Sequence, residues 1–196
     1  MMRRQRLQLC ALVLLLACAA CRREQSGAQP AGNDNTDNSN GSSVTLSLTS
    51  TAFKEGEAIP VEHTCAGANT SPPLAWGAVP AGTKTIALIL DDPDVPLGPF
   101  VHWVIYNLPA TTTELPADVP TQADLTGGGR QGKNGMLKLG YSGPCPPPGP
   151  AHRYNFKLYA LNTELTLPAG ASKQDLLKAM YGHILGQGQL MGRFKR

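Results

Sequence analysis

The two most apolar stretches of the chain flank a polar turn. Thr-Ile-Ala-Leu-Ile-Leu (85–90) is followed by a nine-residue segment with three aspartates and three prolines, and then by Phe-Val-His-Trp-Val-Ile-Tyr-Asn-Leu (100–108). Short apolar runs bounded by Pro and Gly read as buried strands, so this is a strand, a rigid turn and a return strand. Strand alternation puts Ile86, Leu88, Leu90 and Asp92 on one face, so a carboxylate ends an otherwise apolar row and needs a partner. On the return strand, His102, Val104 and Tyr106 share one face, and Trp103 and Ile105 the other. Asp92 and His102 are thereby expected to be neighbours.

A second alternating row runs through His152, Tyr154, Phe156 and Leu158, with Arg153, Asn155 and Lys157 opposite. It follows the rigid connector Gly-Tyr-Ser-Gly-Pro-Cys-Pro-Pro-Pro-Gly-Pro (140–150), so polar side chains again sit where an apolar row meets a Pro/Gly loop. Elsewhere, Val44 to Ser50 alternates as a half-buried strand, and the prolines of the 63–76 segment make it irregular or an edge strand. Residues 109–135, with Thr-Gly-Gly-Gly-Arg-Gln-Gly-Lys-Asn (126–134), show no strong periodicity and read as surface loop; the run lacks the spacing and context of a phosphate loop. Ser172 and Asp175 resemble a capping box, and Leu176, Leu177, Met180 and Ile184 predict the one substantial helix, running on to Gly186. Leu190 to Phe194 is long enough for a short final strand.

Composition agrees with this picture. With 196 residues, 21 Gly, 17 Pro and 16% charged residues, the chain suits one turn-rich, mainly β domain with few helices. The N-terminus reads as an export signal: Arg3, Arg4 and Arg6 precede the apolar run Leu7–Ala17, which is too short for a membrane span. Leu-Leu-Ala-Cys18 resembles a bacterial lipobox, with Cys21 as the alternative lipidated residue. The expected organisation is a lipoprotein-type signal over 1–18, a disordered tether over 19–43, and one domain over 44–196. Arg22 to Ser43 contains no large apolar side chain and so cannot offset the entropy of ordering. Removing the three signal arginines takes the net charge from +3 to about zero, which gives no footing for nucleic acid. An exported, lipid-anchored protein of the cell envelope is the expectation. Cys65 and Cys145 are the cysteines left after the signal region; an even pair in an oxidising compartment predicts a disulfide, with two separate thiols as the alternative.

The chemistry-bearing residues gather at strand ends. Two imidazoles and a phenol can donate to an anion, and a carboxylate can orient a histidine and favour its charged form. Two histidines with an aspartate could also hold a metal or serve acid–base hydrolysis, but His-Glu-x-x-His and Gly-x-Ser-x-Gly motifs are lacking. A binding protein, with no cofactor and no metal, is expected before an enzyme.

Asp-Pro-Asp-Val-Pro (92–96), His102-Trp103, Gly143-Pro144 and His152-Arg153-Tyr154 together resemble the phosphatidylethanolamine-binding protein family, in its bacterial and archaeal branch called Raf-kinase-inhibitor-like. The resemblance covers residues 44–196. It implies a central antiparallel sheet packed on a smaller sheet, one C-terminal helix, and a shallow pocket for phosphate, a carboxylate such as acetate, or a phospholipid head group. It implies that Asp92, Pro96, His102, Gly143, Pro144, His152 and Tyr154 line or support that pocket, and Asp94, in the same cluster at the strand ends, is expected to join them. Family members are linked to kinase inhibition, protease inhibition and signalling, so an envelope interaction protein or periplasmic protease inhibitor is the second reading. A cytosolic kinase is out of reach of an exported chain. No motif identifies a protein partner.

Overall fold

The computed structural model describes residues 43–196. The expected signal, the lipidation cysteines Cys18 and Cys21, and nearly all of the tether lie outside the described residues. Nine strands and one helix follow in order: β1 (Val44–Thr45), β2 (Leu48–Thr49), β3 (Leu74–Trp76), β4 (Thr85–Asp92), β5 (Phe100–Pro109), β6 (Glu114–Leu115), β7 (Arg130–Gln131), β8 (His152–Leu161), α1 (Lys173–Met180) and β9 (Ile184–Phe194). A six-stranded sheet has the order β1-β9-β8-β4-β5-β7, and a three-stranded sheet the order β2-β3-β6. All pairings are antiparallel except β1 with β9.

The large sheet is covered on both faces, which is why every residue of β4 is buried and its centre, Ile86 to Leu90, is a continuous apolar run. On one face, Ile86, Leu88, Leu90, Trp103, Ile105, Phe156 and Leu158 pack against Leu48, Leu74 and Trp76 of the small sheet. On the other, Ala87, Ile89, Val104 and Tyr106 pack against Leu176 and Met180 of α1. The two aspartates ending β4 leave on opposite faces. Asp91 accepts from Lys157 Nζ at 3.1 Å and from Lys173, the first residue of α1, and so ties the helix to the sheet. Asp92 emerges on the small-sheet side.

The β4–β5 ladder changes two expectations. Leu90 pairs with Trp103 but Asp91 pairs with Val101, so β5 carries one extra residue there. That residue is His102. The bulge breaks the alternation and turns His102 away from Val104 and Tyr106, onto the face of Trp103 and Tyr154. A second shift between Ile86 and Leu88 falls at Asn107, which has a left-handed φ of 57°.

The helix is also shorter than its periodicity predicts. The capping box is present, with Asp175 N donating to Ser172 Oγ at 3.2 Å and Ser172 N donating to Asp175 Oδ2 at 3.0 Å. The helix ends at Met180, Gly182 turns the chain at φ +79°, and Ile184 already belongs to an 11-residue β9 rather than to the helix. Close packing explains why the glycines lie in a strand: a Cβ at Gly188 would stand 2.3 Å from the Leu46 carbonyl oxygen. The 109–135 segment is not wholly loop either. It supplies β6 and β7, and Gln131, fully buried, accepts from Trp103 Nε1 at 2.7 Å and donates to the carbonyls of Pro120 and Gln122.

Candidate functional site

Asp92 forms the first part of the site by closing its own turn. Its Oδ1 accepts from the Asp94 amide at 2.8 Å, so the carboxylate initiates the turn that leaves β4. Asp94 then accepts from Arg153 N at 2.8 Å and Arg153 Nη2 at 2.6 Å, which fastens the turn to the start of β8. Hydrogen bonding from Arg153, against a smaller opposing effect of burial, holds the Asp94 carboxyl down at about 2.

Because β4 and β8 are neighbours, the other Asp92 oxygen meets β8. His152 Nδ1 donates to Asp92 Oδ2 at 2.8 Å. The expected pairing of Asp92 with a histidine is thus made with His152, while the ring of His102 finds a different partner. His102 Nδ1 lies 2.6 Å from the Ser142 carbonyl oxygen, which can only accept, so Nδ1 carries the proton. His102 stands edge-on to Phe100 and Tyr154, with ring centroids 4.9 and 5.3 Å apart. Burial lowers its pKa, outweighing the Ser142 carbonyl and the charge of Asp92, so the ring is neutral at neutral pH. In both imidazoles Nδ1 is committed inside the protein. Nε2 of neither ring has a hydrogen-bond partner among the described residues.

The remaining wall comes from the proline-rich connector. Gly143 N donates to Asn69 Oδ1 at 2.8 Å, and Cys65 N donates to the Pro144 carbonyl at 3.1 Å. Cys65 and Cys145 are joined by a disulfide, with Cα atoms 5.3 Å apart. Gly143 is required by closeness, since a Cβ there would meet the His63 carbonyl oxygen at 2.5 Å and Asn69 Oδ1 at 2.7 Å.

These elements enclose a cavity of about 700 Å³. Of the residues expected from sequence, Asp92, Asp94, Pro96, His102, Gly143 and His152 line it. Pro144 and Tyr154 do not. Pro144 holds Cys65 through its carbonyl, and Tyr154 lies behind the wall, fully buried, its hydroxyl without a hydrogen bond among the described residues. Burial, then the charge of Asp92, raises the Tyr154 pKa far above the ordinary phenol range, so it stays protonated. The sequence reading missed Phe100, Met136, Asn69 and Ser142, which also line the cavity. Asn69 carried a weak signal, a lone Asn among small residues, and it has a left-handed φ of 60°. Among the described residues, no three His, Cys, Asp or Glu side chains converge as a metal site.

Comparison with known proteins places this arrangement. The family described as phosphatidylethanolamine-binding protein matches residues 49–195. A UPF0098 protein of Methanothermobacter thermautotrophicus is 50% identical over 151 residues, covering 77% of this chain and 99% of that one. A UPF0098 protein of Aquifex aeolicus is 47% identical over 153 residues, covering 77% and 89%. Among solved structures, a phosphatidylethanolamine-binding protein homologue of Chlamydia trachomatis, CT736, superposes with a TM-score of 0.71 at 39% identity, covering 79% of this chain and 99% of that one. Escherichia coli YbcL, described as a member of the mammalian family, gives 0.71 at 33% identity, covering 78% and 99%. On this family match, these identities and the two-sheet architecture, the chain belongs to the phosphatidylethanolamine-binding protein family.

Proposed function

We propose that the domain is a binding module, not an enzyme, that holds a small oxyanion (phosphate, a carboxylate or a phospholipid head group) in the cavity between His102 and His152. The observation that carries this reading is the pair of imidazoles at the cavity wall, each locked through Nδ1 and each with Nε2 free of partners among the described residues. In its imidazolium form, His152 donates through Nε2 while Asp92 balances its charge, which makes a charge-assisted bond to an oxyanion. Among the described residues, neither imidazole hydrogen-bonds a serine, threonine or cysteine side chain, the contact that an activated nucleophile needs.

The same proposal places the protein in the cell envelope, exported and lipid-anchored through Cys18, or through Cys21. The chain joins the sheet at Val44, beside Gly186, and Gly186 pairs with Ala160, eight residues along β8 from His152. The attachment point is therefore roughly 27 Å from the cavity end of the sheet. A segment the length of residues 19–43 spans at most about 85 Å, enough for the cavity to turn towards the membrane.

A second reading, an envelope interaction protein such as a protease inhibitor, is favoured by one observation. The loops at the cavity carry apolar side chains in the open, with Leu97 100% and Leu137 78% exposed. Calorimetric titration with inorganic phosphate and glycerophosphoethanolamine separates the two. Millimolar or tighter binding that is lost in His152→Ala supports the oxyanion module. No binding, together with a specific envelope protein captured by wild type and not by Leu97→Ser, supports the interaction protein.

A further inference from the structure

The cavity offers an incoming oxyanion an unequal pair of ring nitrogens. His102 keeps its proton on Nδ1, where the Ser142 carbonyl accepts it, so a neutral His102 presents a lone pair at Nε2. A fully ionised oxyanion has only lone pairs to set against it. Two side-chain donors also line the cavity, the Asn69 NH₂, whose own oxygen is taken by the Gly143 amide, and the Ser142 hydroxyl. The Gly143, Asp94 and Arg153 amides are already used by Asn69, Asp92 and Asp94, and the prolines at 144, 146, 147 and 148 have no N–H. The charged groups around the two rings are Asp91, Asp92 and Asp94 at and after the end of β4, and Arg153 on β8, whose guanidinium is held by Asp94. Tyr154 is the nearby phenol.

Resting on the oxyanion reading above, we propose that this site selects an oxyanion that carries one proton of its own, such as a phosphomonoester monoanion: the ligand O–H donates to His102 Nε2 and an ionised oxygen accepts from His152 Nε2–H. A site that sets an acceptor among its donors discriminates, because a ligand without the proton leaves a lone pair facing the His102 lone pair. Burial of His102 disfavours its charged form and so favours the accepting state, which the Nδ1–H bond to the Ser142 carbonyl orients. Sulfate and phosphodiesters, which have no such proton near neutral pH, are the disfavoured ligands. A phosphodiester head group is therefore a weaker ligand than a monoester of the same size.

Calorimetry on the wild-type protein from about pH 5 to about pH 8 tests this with methyl phosphate, sulfate, dimethyl phosphate and dihexanoyl phosphatidic acid. A phosphomonoester loses its second proton near pH 6. Sulfate does not change, so its pH dependence reports the protein alone. Methyl phosphate is expected to bind at least about tenfold tighter than sulfate or dimethyl phosphate at the low end, as for a site built around a ligand hydroxyl. Its advantage over sulfate should fall by about tenfold per unit above the ester's pKa. Phosphatidic acid binding as tightly as methyl phosphate supports the same chemistry on a lipid; methyl phosphate alone supports it on a free monoester. His102→Ala, if folded by circular dichroism, should reduce the methyl phosphate to sulfate ratio towards one. A ratio flat with pH in the wild type, or sulfate bound as tightly as methyl phosphate, overturns the inference while leaving an oxyanion site standing. No anion bound at any pH overturns both.

Discussion

Replacing Asp92 by Asn should reverse the tautomer of His152. In the native protein both oxygens of the buried Asp92 side chain accept, Oδ1 from the Asp94 amide and Oδ2 from His152 Nδ1, each at 2.8 Å. Asparagine has one acceptor oxygen and one NH₂, so it cannot accept twice. If its oxygen keeps the turn at Asp94, the NH₂ faces His152 Nδ1, donor against donor. The clash is relieved when the ring gives up the Nδ1 proton and carries its proton on Nε2 instead. A hydrogen bond to a charged group, worth about 1.5–3 kcal/mol, is then replaced by a neutral one of about 0.5–1.5 kcal/mol, a net loss of about 1–2 kcal/mol. In a domain of roughly 150 residues that lowers Tm by about 2–8 °C. The assay is long-range ¹H–¹⁵N NMR of the imidazole nitrogens near pH 8, beside thermal unfolding, since ring nitrogens with and without a proton are distinguishable. A variant that keeps Nδ1–H and the native Tm would refute the argument that Asp92 sets the orientation and tautomer of His152.

Three further outcomes follow from the same geometry. Reducing the Cys65–Cys145 disulfide frees a loop with a sequence separation of 80, and stability should fall by up to about 4.5 kcal/mol in denaturant unfolding, with two thiols titrating only after reduction. Asp94 has a depressed folded pKa of about 2, so its contribution is full above the unfolded value near 4 and is lost as pH falls through about 2. Because the ion pair is half in solvent, the stability change stays within about 1 kcal/mol, and carboxyl NMR is the better measurement; Arg153→Ala should bring the titration back towards 4. Gly143→Ala forces a methyl against the His63 carbonyl and Asn69, and should cost about 1–3 kcal/mol in denaturant unfolding and weaken oxyanion binding in calorimetry.

Much of the architecture is legible in the chain because it rests on local patterns. The apolar run of β4, the alternation of β8 and the capping box at Ser172 each report a structure that short-range sequence specifies. The site is legible only in part, since its parts meet through pairings that no local pattern encodes. Alternation along β5 puts His102 with Val104, but one extra residue in the ladder turns it to the face of Tyr154. The partner of Asp92 depends on β8 lying beside β4, a matter of sheet order, and so it is His152, 60 residues away in sequence. Gly186 looks like a helix terminator, but it and Gly188 serve close contact between β9 and residues 44–46, which shows only when the two are packed. Asn69 and Phe100 join the wall because the disulfide ties the Asn69 loop to the proline-rich connector and the turn after β4 returns the chain at Phe100, the first residue of β5.

The central claim is that the two Nε2 atoms face one ligand. A crystal structure of the protein grown with methyl phosphate near pH 6 tests it most directly. The account predicts density for the ester between the rings, with one oxygen within about 3.2 Å of His152 Nε2 and another within about 3.2 Å of His102 Nε2. Ester bound elsewhere on the domain, or bound in the cavity but touching neither ring, would contradict it.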